Sequence, residues 1–356
     1  MAFIKPAGHS RKKVDWAGKI LSNETSSKED KNKAIEILDN WRAIHRYPMH
    51  IFKKRLKNVS EKRDKEALTV QRLKRLPSII KKLQRVYQGD KATMKLSQMQ
   101  DIAGCRVVMP TIKQARELYE KDYLKGHIKH PKINEKDYML IPKQDGYRSI
   151  HLIYRYNSDK GKKEYNGLLV EIQIRSKLQH LWATAIEIVD FFTKQAIKSN
   201  EGQKEWVDFF KLVSSAFAII EKTPLIQGTP KNKKELYKQI KEQEKKLNVI
   251  EIMEGWTHAV GVFEEMNKKK LVEFFLLELD VEEGRLNIRA YPKELEKKAI
   301  DDYNQAEKKN QGKKAYDVVL VGADTTPDLK KAYPNYFVDS KEFLKKLRQI
   351  ISKVKD

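Results

Sequence analysis

A short stretch of strict alternation, Leu169–Arg175, limits the fold of this chain more than any other feature. Apolar and polar residues alternate through it in the order Val170, Glu171, Ile172, Gln173, Ile174 and Arg175. A period of two predicts a β-strand with one apolar and one polar face. In a central strand the polar face would have to serve a functional site, because burying ionised groups without purpose is costly. The alternative is an edge strand whose polar face is solvated.

Cationic residues surround a predicted turn earlier in the chain. Arg72 and Lys74 are two residues apart on a predicted strand, so they share one of its faces. Pro77 is compatible with the first turn of a following helix, on which Ser78 and Lys82 share a face. Together these side chains predict a cationic cradle suited to a triphosphate. A solvated basic strand and helix is the alternative.

Asp101 lies four residues before Cys105, the start of a short apolar run, Cys105–Met109, which predicts another strand. A carboxylate in this position can hold a hard cation through its oxygens. Gly104, at the start of the run, would permit close approach of the backbone to a ligand. The alternative for Asp101 is a turn residue that caps the strand.

A glycine turn at Gly146 leads into a further alternating segment. Ser149 and His151 fall on one face of the strand predicted there, and Lys143 precedes the turn. Tyr147 sits at the turn, where an aromatic ring can stack on a nucleic-acid base. A tyrosine buried in a hairpin is the alternative.

The rest of the first 250 residues alternates helical and strand patterns, which predicts an α/β fold. Residues 1 to about 25 are polar and predict a poorly ordered start. A helix is predicted from Lys28 to about Asn58, with an interruption at Pro48. Further predicted elements are strands at 67–74, 148–156 and 168–175, and helices at about 77–87, 112–124, 177–198, 203–221 and 233–247.

The last hundred residues differ in character and predict a small α+β domain. Strands are expected at 258–264, 272–280, 285–291 and 316–321, and helices at 292–309 and 339–354. Asp339 with Glu342 three residues later predicts a capping box for the last helix. The predicted domains are a basic helical region at 1–58, a catalytic domain at 59–222, a linker helix at 223–249 and the α+β domain at 250–356.

Charge and composition restrict the classes of partner and compartment. The net charge is +24, and residues 41–91 carry 16 Lys and Arg against 4 Asp and Glu. Such an excess favours polyanions, with RNA the expected one, and Lys53, Lys54, Arg55 and Lys57 form a predicted basic patch. Solvated lysine-rich helices are the alternative. Cys105 is the single cysteine, and no stretch is apolar enough for a membrane span, so we expect a cytoplasmic protein without internal disulfides.

Four of these motifs occur in the order and spacing typical of one family. They are Arg72-x-Lys74 with Ser78 and Lys82, Asp101 with Arg106, Gly146–His151, and Glu171–Arg175. Over about residues 60–200 the chain resembles the RelA/SpoT synthetase domain. Trp182–Glu187 is similar to a helix segment of small alarmone synthetases, although Ile188 stands where those enzymes usually have His, which weakens any role for Glu187.

The resemblance implies a nucleotidyltransferase-like mixed sheet flanked by helices, and an ATP-dependent pyrophosphotransferase. ATP would donate its β,γ-pyrophosphate to a ribose hydroxyl, with Mg²⁺ held by Asp101 and Glu171 and with Glu171 as candidate general base. The resemblance implies that ATP is bound by Arg72, Lys74, Ser78, Lys82, Arg106, Lys143 and His151. It places the acceptor on Tyr147, Gln173 and Arg175.

The resemblance leaves two acceptors open. Housekeeping members of the family use GDP or GTP and make alarmones, whereas a toxic branch modifies the 3′ CCA end of tRNA and stops translation. Tyr333 and Tyr336 resemble the neutralising motif of the CapRel family of fused toxin–antitoxins in phage defence. That resemblance implies a degenerate zinc-finger-like C-terminal domain that covers the ATP site until a phage capsid protein binds. We therefore expect a tRNA-modifying toxin restrained by its own C-terminal domain. The alternatives are an alarmone synthetase that uses GDP, GTP or adenosine nucleotides, and a non-catalytic RNA-binding protein.

Overall fold

The computed structural model describes the chain except for residues 1, 2, 4, 75, 85–93, 196–201, 267–271, 281, 282, 284, 311–315, 323–335, 355 and 356. Two compact units emerge. The first comprises Met1–Met139 and Arg148–Lys177, and the second comprises Leu140–Tyr147 and Leu178–Asp356. The predicted domain limits at residues 222 and 249 fall within the second unit.

The first unit is built on a five-stranded mixed sheet. In chain order its elements are α1 (Arg11–Ser22), α2 (Lys28–Ile44), α3 (Arg46–Glu61), β1 (Leu68–Leu73), α4 (Leu76–Leu83), β2 (Ala103–Met109), α5 (Ile112–Leu118), β3 (Lys132–Asp137), β4 (Ile150–Arg155) and β5 (Leu169–Ser176). The strand order is β1-β2-β5-β4-β3. Only the β2–β5 pair is parallel; the other three pairs are antiparallel. The predicted α/β class with a mixed sheet is thereby confirmed.

The alternating strand Leu169–Ser176 lies in the centre of this sheet rather than at its edge. Its apolar side chains Val170, Ile172 and Ile174 are fully buried. They belong to one core with side chains of α2, α3 and α5, among them Leu38, Phe52, Leu56, Ala115 and Leu118. The helical layer therefore covers the apolar face, and the polar residues of the strand fall on the opposite face.

The polar start of the chain is a helix, so the prediction of a poorly ordered beginning is wrong for residues 11–22. Ser10 caps α1 by accepting a hydrogen bond from the backbone N–H of Lys13. Val14, Ala17 and Leu21 are buried and form an i, i+3, i+7 stripe, the spacing of one helix face. The abundant lysines of this segment hide that stripe in a composition-based prediction.

The first long helix is interrupted at His45, between α2 and α3, and not at the predicted Pro48, which lies in the first turn of α3. His45 is 1% exposed and its ring Nδ1 lies 2.6 Å from the carbonyl oxygen of Trp41, to which it donates when protonated there. Burial lowers the pKa of His45 to about 4, against the opposing effect of the Trp41 hydrogen bond. A neutral, buried imidazole therefore joins the two helices.

Stability of the first unit is expected to fall in mild acid because of His45. The pKa of His45 in the folded state is below the unfolded value of 6.5, so the unfolded state takes up the proton first. The free energy of unfolding therefore decreases as the pH falls from 6.5 to about 4. The total decrease is about 3 kcal/mol. Urea unfolding at pH 7, 5.5 and 4.5 should show it, and His45→Gln should be less stable at pH 7 but lose less on acidification. An equal pH slope in both proteins would contradict this account.

Two further parts of the first unit differ from the sequence-based expectation. The edge strand β3, with the sequence KINEKD, was not predicted, because it lacks the apolar alternation of a half-buried strand. The helix expected over 112–124 is α-helical only as far as Leu118 and continues as a π-helix over Tyr119–Leu124.

The second unit combines helices with a small antiparallel sheet. Its elements are α6 (Lys177–Gln195, whose first residue belongs to the first unit), α7 (Gly202–Glu221), α8 (Lys233–Leu247), α9 (Val249–Met266), β6 (Phe274–Asp280), β7 (Arg285–Tyr291), α10 (Glu296–Asn310), β8 (Tyr316–Gly322) and α11 (Tyr336–Ile351). The strand order is β7-β6-β8. One core includes side chains of α6, α7, α8, α9, β6 and α11.

Two local predictions in this unit are wrong. Residues 258–264 are helical, as part of α9, because the run HAVGVFE also fits the helical stripe that buries Met253, Trp256 and Ala259. Asp339 is not an N-cap, since α11 begins three residues earlier at Tyr336. Its carboxylate is buried and lies 3.1 Å from Nε2 of His180 on α6.

The helix predicted as a linker, α8, is part of the second core. Its side chains Leu236, Tyr237 and Ile240 are at most 3% exposed.

Among the helices that the structure describes, none is both long and apolar enough to cross a membrane.

Candidate active site

The polar face of the five-stranded sheet brings together residues from four strands. In the register, Arg72 of β1 lies opposite Gly104 of β2, and Gly104 lies opposite Glu171 of β5. One step along the same face, Arg106 is beside Gln173, and Gln173 is beside His151 of β4. Paired residues of adjacent strands point to the same side of a sheet. The predicted residues of these strands therefore form one surface.

Asp101 lies two residues before the start of β2, and its carboxylate contacts two lysines. Its Oδ2 accepts a hydrogen bond from Lys74 Nζ at 3.0 Å, and its Oδ1 accepts one from Lys82 Nζ at 2.8 Å. Lys74 follows β1 and Lys82 lies on α4, so strand and helix meet at one carboxylate. The structure thus brings together Lys74 and Lys82, two of the four residues of the predicted cradle, and both ammonium groups donate to Asp101.

Glu171 is the centre of a second chain of hydrogen bonds. His151 Nδ1 lies 2.8 Å from Glu171 Oε1, and Gln173 Nε2 donates to Glu171 Oε2 at 2.7 Å. Gln173 Oε1 in turn accepts from Arg175 at 3.2 Å. The ring of Tyr138 meets His151 edge-on, with 5.3 Å between ring centroids. The side chains around Glu171 are thereby fixed in orientation before any ligand arrives.

Both carboxylates are ionised at neutral pH. Burial alone would raise the pKa of Asp101, but Lys74 and Lys82 together hold the pKa below its usual value. Burial would likewise raise the pKa of Glu171, and the hydrogen bond and charge of His151 overcome that effect, while the charge of Asp101 opposes them. A carboxylate with a lowered pKa is a good metal ligand and a weak base. An ionised Glu171 is therefore available as a ligand for a cation, and its role as a general base stays a prediction.

The donor set of this face fits a magnesium ion held jointly with a substrate. Mg²⁺ in phosphoryl-transfer sites is commonly bound by one or two carboxylates and completed by phosphates and water. Asp101 and Glu171 supply two carboxylates whose charges act on each other. Among the described residues, no group of three or more His, Cys, Asp and Glu could hold a metal alone. A dedicated protein cage, zinc-type sites included, is therefore not formed by the described part of the chain.

The remaining cationic residues of the face differ in burial. Arg72 is exposed, whereas Arg106 and Arg175 are 6% and 5% exposed. Ser78 lies on α4, four residues before Lys82, as its spacing predicts. Cys105 points away from this face and its thiol lies 3.4 Å from the carbonyl oxygen of Met49. Burial raises the pKa of Cys105 to about 12, so a reactive thiolate is not part of the site.

Arg42 was not predicted and belongs to the support of the site. Its Nε donates to the carbonyl oxygen of Lys74 at 3.0 Å, while NH1 pairs with Asp39 at 2.9 Å. Arg42 thus ties the helix α2 to the residue whose ammonium group holds Asp101. No local sequence signal marks it, because the two partners are 32 positions apart.

Lys143 and Tyr147 belong to the second unit. The Lys143 ammonium group lies 5.0 Å from the centre of the Tyr147 ring, a cation–π contact. Gly146 between them has φ +99°, and an added Cβ would lie 2.8 Å from Trp182. Ser214 also donates to the Gly146 carbonyl oxygen at 2.7 Å. The glycine turn is therefore required by packing within this unit.

The predicted basic patch on α3 is not a uniform cationic surface. Arg55 donates to the carbonyl oxygens of Asp122 and His127, and Lys57 pairs with Glu61 at 3.5 Å. Lys53 is half-buried and its charge reaches Cys105. Lys54 is exposed and makes no ion pair with any described residue. Lys54 and Lys57 are the two of the four whose side chains are exposed.

The predicted C-terminal tyrosines are only in part within the described residues. Tyr333 lies outside them, and Tyr336 is the first residue of α11. Glu187 is half-buried on α6, and Ile188 is 1% exposed in the core of the second unit. The isoleucine at 188 is thus a packing residue in this chain.

Comparison with known proteins agrees with the motifs. Residues 71–189 match the family model for the region found in RelA / SpoT proteins. Two curated relatives from Bacillus subtilis (strain 168) are each 34% identical: GTP pyrophosphokinase YjbM over 92 residues and GTP pyrophosphokinase YwaC over 119 residues. These alignments cover 25% and 33% of this chain, and 41% and 54% of the relatives.

Solved structures of this group overlay about half of the chain. The small alarmone synthetase 1 from Bacillus subtilis bound to pppGpp is 22% identical, with a TM-score of 0.42 over 52% of this chain and 94% of that one. The small alarmone synthetase 2 from the same organism is 23% identical, with the same TM-score and coverage. Residues 71–189 of this chain thus resemble the region found in RelA / SpoT proteins, and the chain spans about half the length of the two curated relatives or less.

Proposed function

We propose that this chain is a pyrophosphotransferase that moves the β,γ-pyrophosphate of ATP to a ribose hydroxyl of an acceptor and releases AMP. The observation that carries the proposal is the pair of ionised carboxylates, Asp101 and Glu171, set among cations on the polar face of the sheet. Such a face can bind a triphosphate with its counter-ion and hold it in fixed orientation.

Six side chains of the site have roles in binding ATP and its cation under this proposal. Arg72, Lys74, Lys82 and Arg106 offset the charge of the triphosphate, and Asp101 and Glu171 would hold Mg²⁺, which neutralises the charge that develops on the phosphates. When the triphosphate binds, Lys74 and Lys82 can pair with its phosphates instead of with Asp101. The Asp101 carboxylate is then available to bind the cation. In the transfer, the acceptor hydroxyl oxygen bonds to the β-phosphorus and releases its proton to water. The bond between the β-phosphorus and the α,β-bridging oxygen breaks, and that oxygen leaves with AMP.

A guanosine nucleotide, GDP or GTP, is the acceptor that the relatives support. Both curated relatives are named GTP pyrophosphokinases, and Asp101 and Glu171 lie within the residues that match the family model. Under this proposal Gln173 and Arg175 contact the acceptor, and the product is an alarmone. The contact of the acceptor with Tyr147 stays a sequence-based prediction. The alarmone synthetase, an alternative in the sequence-based prediction, is therefore the leading proposal.

The 3′ end of tRNA is a second candidate, which rests on charge. The chain carries +24, and Lys54 and Lys57 are exposed on α3. A free nucleotide does not need a basic surface of this size, whereas a polyanion is attracted by it. The proposed toxin, its restraint by Tyr333 and Tyr336, and its release by a phage capsid protein all depend on this second candidate.

One labelling experiment separates the two acceptors. The purified chain is incubated with Mg²⁺ and γ-³²P-labelled ATP, together with GDP, GTP or deacylated tRNA. We expect label in guanosine tetra- or pentaphosphate. Label at the tRNA end with none in the nucleotides would establish the second candidate, and label in neither, from folded protein, would contradict both.

Charge reversal on α3 tests whether the basic surface takes part. If tRNA is the acceptor, Lys54→Glu with Lys57→Glu should weaken tRNA binding by about tenfold or more at low salt, with a smaller slope of affinity against salt. ATP affinity should not change. Arg55 is left intact because it supports the fold through Asp122 and His127.

The matched control carries the same charge change on α8, where Lys234 and Lys238 are exposed. Lys234→Glu with Lys238→Glu should bind tRNA as the wild type does. Equal tRNA binding by both double variants would mean that the α3 lysines are merely solvated.

A further inference from the structure

Gly104 occupies an unusual position on the polar face. It lies inside β2, opposite Arg72 on one side and Glu171 on the other, and two residues before Arg106 on the same face. It is half-exposed, although Ala103, Cys105 and Arg106 around it are buried. The polar face therefore has a gap in side chains between a guanidinium group and a carboxylate.

None of the usual structural reasons for glycine applies at this position. Its φ is not in the left-handed region, and an added Cβ would meet only the carbonyl oxygen of Arg72, at 3.9 Å. The strand register runs through Gly104 without interruption on both sides, so no bulge is present. By contrast, a left-handed φ or a contact below 3.0 Å for an added Cβ is found at each of eight other described glycines: Gly8, Gly18, Gly126, Gly146, Gly161, Gly167, Gly228 and Gly255.

A glycine inside a strand carries a cost relative to alanine, because it leaves more conformational freedom in the unfolded chain. Where the protein itself has room for a side chain, close approach of a ligand is the remaining reason for glycine in a strand. The gap is flanked by Arg72, Arg106 and Glu171, the groups that the proposed function assigns to ATP and its cation.

We propose that part of the bound nucleoside triphosphate lies in van der Waals contact with the Cα of Gly104, so that this glycine is a positioning residue that shapes the ATP site. The proposal rests on the proposed function for the identity of the ligand. It predicts that bulk at position 104 is tolerated by the fold and opposed by the ligand.

A size series at this position tests the proposal. Gly104→Ala and Gly104→Val are compared with the wild type by thermal unfolding and by calorimetric binding of a non-hydrolysable ATP analogue with Mg²⁺. Both variants should melt at or above the wild-type temperature. Affinity for the analogue should fall by about tenfold in Gly104→Ala and further in Gly104→Val, because even one added methyl group must displace a closely packed ligand.

Transfer kinetics give a second readout. The KM for ATP should rise in the order Gly, Ala, Val, while the KM for the acceptor stays within about twofold of the wild-type value. Wild-type affinity for the analogue in Gly104→Ala would overturn the inference, and so would a lowered melting temperature, which would show that the fold needs the glycine. If the wild type binds the analogue but transfers nothing to any acceptor, the proposed function fails while the binding series still decides the role of Gly104.

Discussion

Replacement of Glu171 by glutamine is expected to lower the rate of pyrophosphate transfer by about 10² or more while the protein remains folded. The variant removes a buried negative charge that faces His151 and the proposed cation. The glutamine oxygen can still accept one hydrogen bond, and the Gln173 amide can rotate to accept from the new NH₂ group. The loss should therefore appear in kcat more than in stability. Asp101→Asn is expected to have a comparable effect, because it removes the other carboxylate.

Asp137→Asn is the matched control for these two variants. Asp137 is a carboxylate of the same unit and pairs with Arg116, but in the β3–β4 register it lies opposite Ile150, away from the polar face. Its replacement should leave transfer within about twofold of wild type. Near-normal turnover by Glu171→Gln in the same assay would contradict the proposed mechanism.

Replacement of Phe343 by alanine is expected to destabilise the second unit by about 3–5 kcal/mol. Phe343 of α11 is fully buried, with its ring stacked on Phe210 at 5.7 Å and edge-on to Phe217 at 6.0 Å. Calorimetric unfolding measures the effect, and Lys345→Ala on the exposed side of the same helix is the control. A loss of less than 1 kcal/mol in Phe343→Ala would show that α11 is not part of this core.

The same packing changes how the role of the C-terminal segment can be tested. Cutting the chain near Thr229 would remove α8, α9 and α11, and would expose the aromatic side chains of α6 and α7 that they cover. Loss of activity after truncation would then reflect unfolding rather than the loss of a brake. Restraint by Tyr336 stays a prediction, and Tyr336→Ala in the full-length chain is the variant that tests it.

The sheet and its polar face were predictable because their signals are local. Alternation placed Glu171, Gln173 and Arg175 on one side of a strand, and the same period of two placed Arg72 of β1 on one side with Lys74, which directly follows β1. Burial of Val170, Ile172 and Ile174 then follows from the period of two. The expected strand at Cys105–Met109 is confirmed, with two more residues at its start.

What was not predictable depends on contacts between distant parts of the chain. The hydrogen bond from Arg42 to the Lys74 carbonyl oxygen and the pair of His180 with Asp339 join residues 32 and 159 positions apart. The segment HAVGVFE has the residues of a strand, but burial of its neighbours Met253 and Trp256 on one helical stripe decides for α9. Local propensity is a weak prior where tertiary packing competes with it.

The most direct test of the central claim is to determine whether ATP is converted to AMP or to ADP. The purified chain is mixed with ATP, Mg²⁺ and GDP, and the products are separated and quantified. The account predicts AMP in a one-to-one ratio with a guanosine product that has gained two phosphates, and neither product in Asp101→Asn or Glu171→Gln. Formation of ADP and inorganic phosphate without AMP would contradict it.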